Sequence, residues 1–373
     1  MNDWEYCEQA LPKVSRTFAL NICVLEGDLK NSILVAYLFC RIVDTVEDAA
    51  DLDANIKVRL LEEFSRIIQD PEVRASSLSK WVGDCCAVDG TENDLDLLSN
   101  TEAVFRAFDT LPKNHQEQII PSVSEMALGM AYFQQKFDSS GLTLLESQEE
   151  LEEYCFFVAG LVGEMLCNLF FQALPNLPPA SKKTMRETAV SFGLGLQMTN
   201  ISKDMIVDRS RGWSYIPRAY ISEAGLTVEA FSDGGEEDKS LKVLSRILNK
   251  TMGHLEDALR FTLAIPSSAT RIRLFCIWPL WMAMETVAVL HNNKALLKSD
   301  DPVKITRKTV RRILRRTRLI CFSDLLLKWS FGGIQKRAQL ENPPRFDLNA
   351  LKSRLKILGL GSPQSADKEA QYG

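Results

Sequence analysis

Apolar residues recur every three or four positions along almost the whole chain, and that period leaves packed helices as the architecture. It runs through NSILVAYLFCRIVDTVED (31–48), VRLLEEFSRIIQD (58–70), QEQIIPSVSEMALGMAYFQQKF (116–137) and ELEEYCFFVAGLVGEMLCNLFFQAL (150–174). It continues in SFGLGLQMTNISKDMIVD (191–208), LKVLSRILNKTMGHLEDALRFTLAI (241–265) and VRRILRRTRLICFSDLLLKW (310–329). No alternating strand bounded by turn residues stands out, and GLGLQ (193–197) is too short to be a dinucleotide fingerprint. Proline punctuation falls between the helical stretches, at Asp70-Pro71, Leu111-Pro112, Pro175 to Pro179, Ile265-Pro266 and Asp301-Pro302. SDGGEEDKS (232–240) reads as a polar loop, and no repeat or long linker divides the chain. One all-α domain, a single large helical bundle with a central cavity, is expected over 1–345, followed by a polar, flexible tail over 346–373.

Composition narrows the functional classes. With 46% hydrophobic and 25% charged residues the chain has material for a large core, and a net charge of -5 gives no reason to expect a nucleic-acid partner. Nine cysteines form no CxxC and lie mostly in apolar stretches, which suits buried free thiols in a reducing cytoplasm. Three histidines without an H-E-x-x-H disfavour a histidine-bound zinc. The start, MNDWEYCEQALPK, has no basic region leading into an apolar run, so no signal peptide is read. The longest apolar run, FCIWPLWMAM (275–284), is about half the ~20 residues a spanning helix needs, and a buried core helix is the better reading.

Two helical faces carry stacked carboxylates. Tyr37, Arg41, Asp44 and Asp48 recur at steps of four, three and four, with Glu47 beside the two aspartates. Asp204 and Asp208 sit four apart, one turn after Asn200. Like charges at that spacing repel by a few tenths of a kcal/mol, so neither pair helps a helix as such. Either pair alone could be a solvated acidic helix end; together, each with an apolar half-face, they predict facing clusters that need cations between them. Magnesium takes oxygen ligands and is completed by substrate phosphates, and Arg41, Lys203, Arg209, Arg211 and Arg218 are available to neutralise the remainder. The expectation is a diphosphate clamp at one end of a helical bundle, above an apolar cavity.

These residues resemble the squalene and phytoene synthase family, most closely its squalene synthases. SRTFA (15–19), YLFCRIVDTVED (37–48), YCFFVAGLVGEM (154–165), NISKDMIVD with GWSYIP (200–217) and LFCIWPLWMA (274–283) carry the likeness in family order, from about Ser15 to about Arg318. The resemblance implies an all-helical prenyltransferase joining two farnesyl diphosphates through presqualene diphosphate, with NADPH-dependent reduction to squalene. It implies that Ser15, Arg16, Phe18, Tyr37, Gln197, Lys203, Arg209 and Arg211 grip the substrate. Asp44, Glu47, Asp48, Asn200, Asp204 and Asp208 are implied as the Mg2+ set, Tyr154 and Arg41 as catalytic, and Phe275, Lys304 and Arg307 as NADPH-binding. The allylic cation of such a reaction needs a dry, aromatic-lined pocket, for which Phe18, Phe156, Phe157, Phe171, Phe192 and Phe275 are candidate walls or plain core. Gly160 and Gly163 fit either close backbone approach to that cavity or tight helix packing.

The chain departs from the family pattern at informative places. Lys203 stands where an arginine is usual, replacing a bidentate donor with a point charge. Val207 stands where an acid often precedes Asp208, and Trp213 follows Gly212 where arginine is common. The basic stretch linked to NADPH reads Lys304-Ile305-Thr306-Arg307-Lys308, with its arginine displaced by one, and Leu280 replaces a frequent glutamine. These differences keep open dehydrosqualene, presqualene diphosphate or phytoene synthases, which lack the reductive step. The basic helix KTVRRILRRTR (308–318) reads equally as a cofactor-phosphate site, an anionic-membrane contact or a solvated face. A small-molecule prenyl diphosphate is the expected partner of a monomer without a transmembrane anchor. It is expected in the cytoplasm, in peripheral contact with the inner face of a membrane.

Overall fold

The computed structural model describes residues 2–136, 141–234, 236–298, 303–340 and 345–359. Several helices begin where the sequence supplies side-chain caps. Asn2 and Glu5 cap each other's backbone at the first helix, Asp53 accepts from Asn55 N and Ile56 N, and Asp70 caps a helix whose first residue is Pro71. Pro112 and Pro178 precede the helices Lys113–Gln134 and Pro179–Ser210, so the expected punctuation marks helix ends there, while Asp301-Pro302 lies outside the described residues.

The architecture is all-α, and its centre is the Pro179–Ser210 helix. Glu237–Ala264 packs along it on one side and Leu161–Ala173 on another, while Gly27–Asp48 and Ala54–Gln69 pack on Lys113–Gln134. Glycines set the closest of these approaches. A Cβ on Gly163 would lie 2.2 Å from the Ala189 carbonyl oxygen, and one on Gly193 would lie 2.1 Å from that of Ala159. Gly163 is therefore a helix-packing residue, the second of the two roles its sequence allows. Two stretches pass the length and apolarity expected of a membrane span, Gln148–Ala173 and Thr270–Leu290, although the second is 83% buried over its most apolar window. Trp278 and Trp281 of that helix bond Thr317 and Ser330 of the helices packed around it, at 3.1 Å each, as core residues do.

Four segments differ from their expected form. The polar loop expected at 232–240 is short, because the Glu237–Ala264 helix already starts within it. The apolar stretch 150–174 is not one regular helix: a π-helical turn, Phe156–Gly160, interrupts it directly after Tyr154. The stretch 310–329 breaks at Cys321–Ser323, where the Ser323 hydroxyl caps a new helix, giving Arg307–Ile320 and Asp324–Ala338. The domain boundary expected at 345 is also overstepped, because Leu348–Ile357 is a docked helix with Leu351 and Leu355 buried. Its Arg354 bonds Glu153 and Glu152 at 3.0 Å each, and Lys352 pairs with Glu164 at 2.8 Å, so ion pairs hold what the sequence presents as a polar tail. Residues 360–373 lie outside the described residues.

One buried polar group ties the central helix to its neighbour. Ser191 Oγ donates to Asp257 Oδ2 at 2.9 Å and lies 2.8 Å from His254 Nδ1, which leaves Nδ1–H as the donor to Ser191. Burial, reinforced by the Lys250 charge, lowers the His254 pKa to about 3. An unfolded histidine protonates near 6.5, so stability is lost as pH falls from there towards 3. Between pH 7.5 and 5.0, wild type is expected to lose about 2 kcal/mol more than His254→Leu in urea melts. Parallel pH profiles for the two proteins would contradict a neutral buried imidazole.

Candidate active site

The Gly27–Asp48 helix ends on its carboxylates, and each functional side chain on it meets a specific partner. Ser15 caps the next short helix through Phe18 N at 3.2 Å and hydrogen-bonds the Tyr37 phenol. The Phe18 ring lies 5.0 Å from that of Tyr37. The N-terminal SRTF stretch is thereby docked one turn above Arg41. Arg41 gives its Nε and Nη2 to Asp94, at 2.8 and 2.9 Å, and reaches Asp44 only as a nearby charge. Burial raises the Asp44 carboxyl to about 7, Arg41 working against it and Asp48 and Asp94 with it. Arg41, expected as catalytic, is thus held by Asp94 beside Asp44.

The second carboxylate face comes from the last two turns of Pro179–Ser210. Lys203 Nζ lies 3.0 Å from Asp204 Oδ2 and 3.4 Å from Asn200 Oδ1, so the lysine sits within the motif as its counter-charge. The Asp208 carboxyl is pushed up to about 7, first by burial, then by Asp204 and Asp48. Asp48 belongs to the other helix, so the two faces do confront each other. Arg211 closes the gap, with Nη1 2.9 Å from Asp48 Oδ1. The cleft between the faces is lined by Glu47, Asp48, Lys57, Gln134, Asp208, Arg211, Trp213 and Tyr215, among others, and has about 20 Å³ of free space, room for about one water.

Beneath the carboxylates lies an aromatic column. Glu47 receives long hydrogen bonds from Gln134 Nε2 (3.4 Å) and the Tyr154 hydroxyl (3.5 Å), and Lys57 Nζ binds its main-chain oxygen at 3.0 Å. Burial, then Asp48 and Asp44, pushes the Glu47 carboxyl up to about 8. Tyr154 stacks on Tyr215 at 4.4 Å, and Tyr215 on Trp213 at 5.7 Å, with Phe133 edge-on to Tyr154 at 5.3 Å. Burial first, then the Glu47 charge, holds the Tyr154 phenol well above the usual tyrosine range. The column is fixed by an element the sequence does not announce: Thr143–Leu144 pairs in parallel with Trp213–Ser214.

Other expected site residues lie elsewhere. Arg209 points away, donating to the Ser232 carbonyl. Phe275 packs into the core edge-on to Phe170 at 5.8 Å, and Lys304 and Arg307 are exposed at the start of the Arg307–Ile320 helix. Among the described residues, no hydrogen bond or ion pair joins these three residues, expected from the resemblance to bind NADPH, to the carboxylates. Arg16 and Asn200 are exposed and Gln197 is half-buried, one turn before Asn200. Asp94, Lys57, Gln134 and Tyr215 complete the site without having been singled out; only Tyr215 had a signal, its place inside GWSYIP.

The donor set suits a hard cation. Carboxylate oxygens from two helices and the Gln134 amide from a third face one cleft, and the Glu47 and Asp208 carboxyls there are raised first by burial and then by neighbouring carboxylates. Among the described residues, no group of three or more His, Cys, Asp or Glu side chains already converges at ligand spacing. Arg211 and Lys203 occupy the positions of counter-charge instead.

The chain is similar to known proteins along most of its length. Residues 11–309 match the squalene/phytoene synthase family model. A squalene synthase of Eremothecium gossypii is 29% identical over 345 residues, 92% of this chain and 74% of that protein. A protein of Arabidopsis thaliana named inactive squalene synthase 2 is 31% identical, over 84% of this chain and 70% of its own length. The solved complex of TcSQS with the ligand BPH1237 superimposes with a TM-score of 0.73 at 24% identity, over 94% of this chain and 99% of that one, a likeness of fold.

The raised carboxyls set a sign. A folded-state pKa above the unfolded value favours folding at low pH and loses that contribution as pH rises through the folded value, here about 7 for Asp44 and Asp208. Asp208→Asn is therefore expected to raise the melting temperature of the metal-free protein by roughly 2 °C or more at pH 8 and by less at pH 5. Magnesium chloride should stabilise wild type at pH 8 more than the variant. An equal or lower melting temperature for Asp208→Asn at pH 8 would contradict mutual repulsion in the clamp.

Proposed function

This chain belongs to the squalene/phytoene synthase family, and we propose that it joins two farnesyl diphosphates head to head through presqualene diphosphate, then reduces the product to squalene with NADPH. The observation that carries the reading is the confrontation of Asp48 with Asp208 across a cleft bridged by Arg211, beside Glu47 and its buried partner Tyr154. Asp44, Asp48, Asn200, Asp204 and Asp208 would hold magnesium, which supplies the charge that makes a diphosphate a leaving group without proton transfer.

The protein's own groups do the rest. Arg211 must leave Asp48 for a diphosphate to enter, because the closed cleft holds about one water. Released, its guanidinium is a bidentate donor to the incoming phosphate, with Lys203 as a point charge beside it. Tyr154 stays protonated at neutral pH, so it acts as a relay rather than as a standing base. In the fraction of molecules whose Glu47 carboxyl, raised to about 8, is ionised, Tyr154 passes its proton to that carboxylate while accepting one from the carbon next to the developing cation, and the phenol is restored. Tyr215, Trp213 and Phe133 wall this position, excluding water and offering π faces to positive charge.

One observation favours a second reading in which reduction is absent. Phe275 is committed to the core while Lys304 and Arg307 stand exposed, so the three residues form no joint cofactor contact. The product would then be dehydrosqualene, presqualene diphosphate or phytoene. A relative at 31% identity bears the name of an inactive enzyme, so turnover is the first quantity to measure.

Purified protein incubated with farnesyl diphosphate and magnesium is expected to yield squalene with NADPH and none without it. Dehydrosqualene or presqualene diphosphate formed regardless of NADPH would select the second reading. Tyr154→Phe should lower turnover by about 10²-fold or more while leaving diphosphate binding unchanged. No product from farnesyl or geranylgeranyl diphosphate would remove the prenyl-transfer reading.

A further inference from the structure

The basic helix singled out in the sequence has no part in the clamp, and its surroundings have a definite character. Arg307–Ile320 contains arginines 307, 311, 312, 315, 316 and 318 with Lys308, and no acidic residue. At its end the chain turns through Phe322 and Ser323 into Asp324–Ala338. The outer surface of this hairpin exposes Leu319 (68%), Phe322 (58%), Leu325 (78%) and Trp329 (69%), large apolar side chains within a stretch of eleven residues. Leu325 and Trp329, four apart in Asp324–Ala338, share one helical face, and Phe322 lies in the turn just before that helix. Arg316 lies over the Trp329 ring at 5.3 Å, so the arginine-bearing helix borders that face.

The hairpin is rigid on its inner side. Arg273, 1% exposed, donates to the Cys321 carbonyl at 2.9 Å and to Asp324 Oδ1 at 2.6 Å, gripping the turn. Trp278 and Trp281 anchor one helix each through Thr317 and Ser330. Apolar side chains this exposed on a fixed support are not a loose end awaiting the core.

From this surface we infer that the Arg307–Ala338 hairpin docks the protein on an anionic lipid bilayer, inserting Leu319, Phe322, Leu325 and Trp329 at the interface while the arginines bind headgroup phosphates. Charge complementarity selects this occupant. A second copy of the chain would bring the same arginine-only helix towards itself, and like-charge juxtaposition opposes that. A bilayer rich in phosphatidylserine or phosphatidylglycerol answers both halves of the surface at once. Tryptophan, leucine and phenylalanine beside arginine are the residues that settle at a lipid–water boundary. The surface stands apart from the carboxylate clamp, and the docking holds whichever prenyl product is formed.

The test is flotation of the full chain with vesicles of about 30% phosphatidylserine in phosphatidylcholine, against pure phosphatidylcholine, at low and high salt. Wild type is expected to float with the anionic vesicles and to be released by salt. Phe322→Ser with Leu325→Ser, and separately Arg311→Glu with Arg315→Glu, should each lower the bound fraction by about ten-fold or more. All these side chains are exposed, so both variants should keep the helical circular dichroism and melting temperature of wild type. Brominated lipids should quench the fluorescence of wild type more than that of Trp329→Phe. Binding that ignores both double variants, equal binding to neutral vesicles, or no flotation by folded wild type would each overturn the assignment. So would light scattering that shows a dimer which Phe322→Ser with Leu325→Ser converts to monomer.

Discussion

The constraint on which the site depends is the gathering of like charge away from water. Asp44, Glu47 and Asp208 all have carboxyls raised chiefly by burial, and neighbouring carboxylates add to the shift at each one. Such a cluster works against folding at neutral pH, so the scaffold has to hold it in place against its own repulsion. The Arg211–Asp48 pair and the Lys203–Asp204 pair relieve part of this strain. Under the proposed function, a ligand that brings cations would remove the need for both pairs.

The resistance to that repulsion comes from close helix packing. Pro179–Ser210 carries the second motif at its end, and its middle is held against the segment 159–163 through Gly193 and Gly163, where no Cβ would fit. On another side the Ser191–His254–Asp257 hydrogen bonds tie it to Glu237–Ala264. Tyr154 is supported from outside as well, because Arg354 of the last described helix bonds Glu152 and Glu153 immediately before it. The C-terminal helix is thus part of what positions the candidate catalytic tyrosine.

What the sequence makes legible here is whatever repeats with the helical period. Asp44 and Asp48, or Asp204 and Asp208, advertise a shared face by their spacing alone, and the facing of the two clusters follows from needing a common cation. Partners that come from distant helices carry no such period. Asp94 is 53 residues from Arg41, and Gln134 is 87 from Glu47, and nothing local marks either as a site residue. The π turn after Tyr154 is invisible for a related reason: FFVAG has the apolar pattern of ordinary helix, and the extra residue per turn is imposed by packing. The docked Leu348–Ile357 helix escapes because its ten residues bury only two leucines and are held by ion pairs.

The fate of the two arginines at the end of the second motif shows how a backbone event decides chemistry. By sequence, Arg209 and Arg211 are equivalent candidates for the phosphate. Arg209 is still helical, and its direction from the axis carries its guanidinium to the Ser232 carbonyl. The helix stops at Ser210; Arg211 caps it, and Gly212 adopts φ +84°, a conformation that few other residues take readily. That reversal lets Trp213–Ser214 pair with Thr143–Leu144, and it leaves Arg211 facing Asp48 across the cleft. One glycine thus assigns the bridging role to the second arginine and stacks the aromatic column in the same turn. A side chain at position 212 would disturb the Arg211–Asp48 bridge and the wall around Tyr154 together.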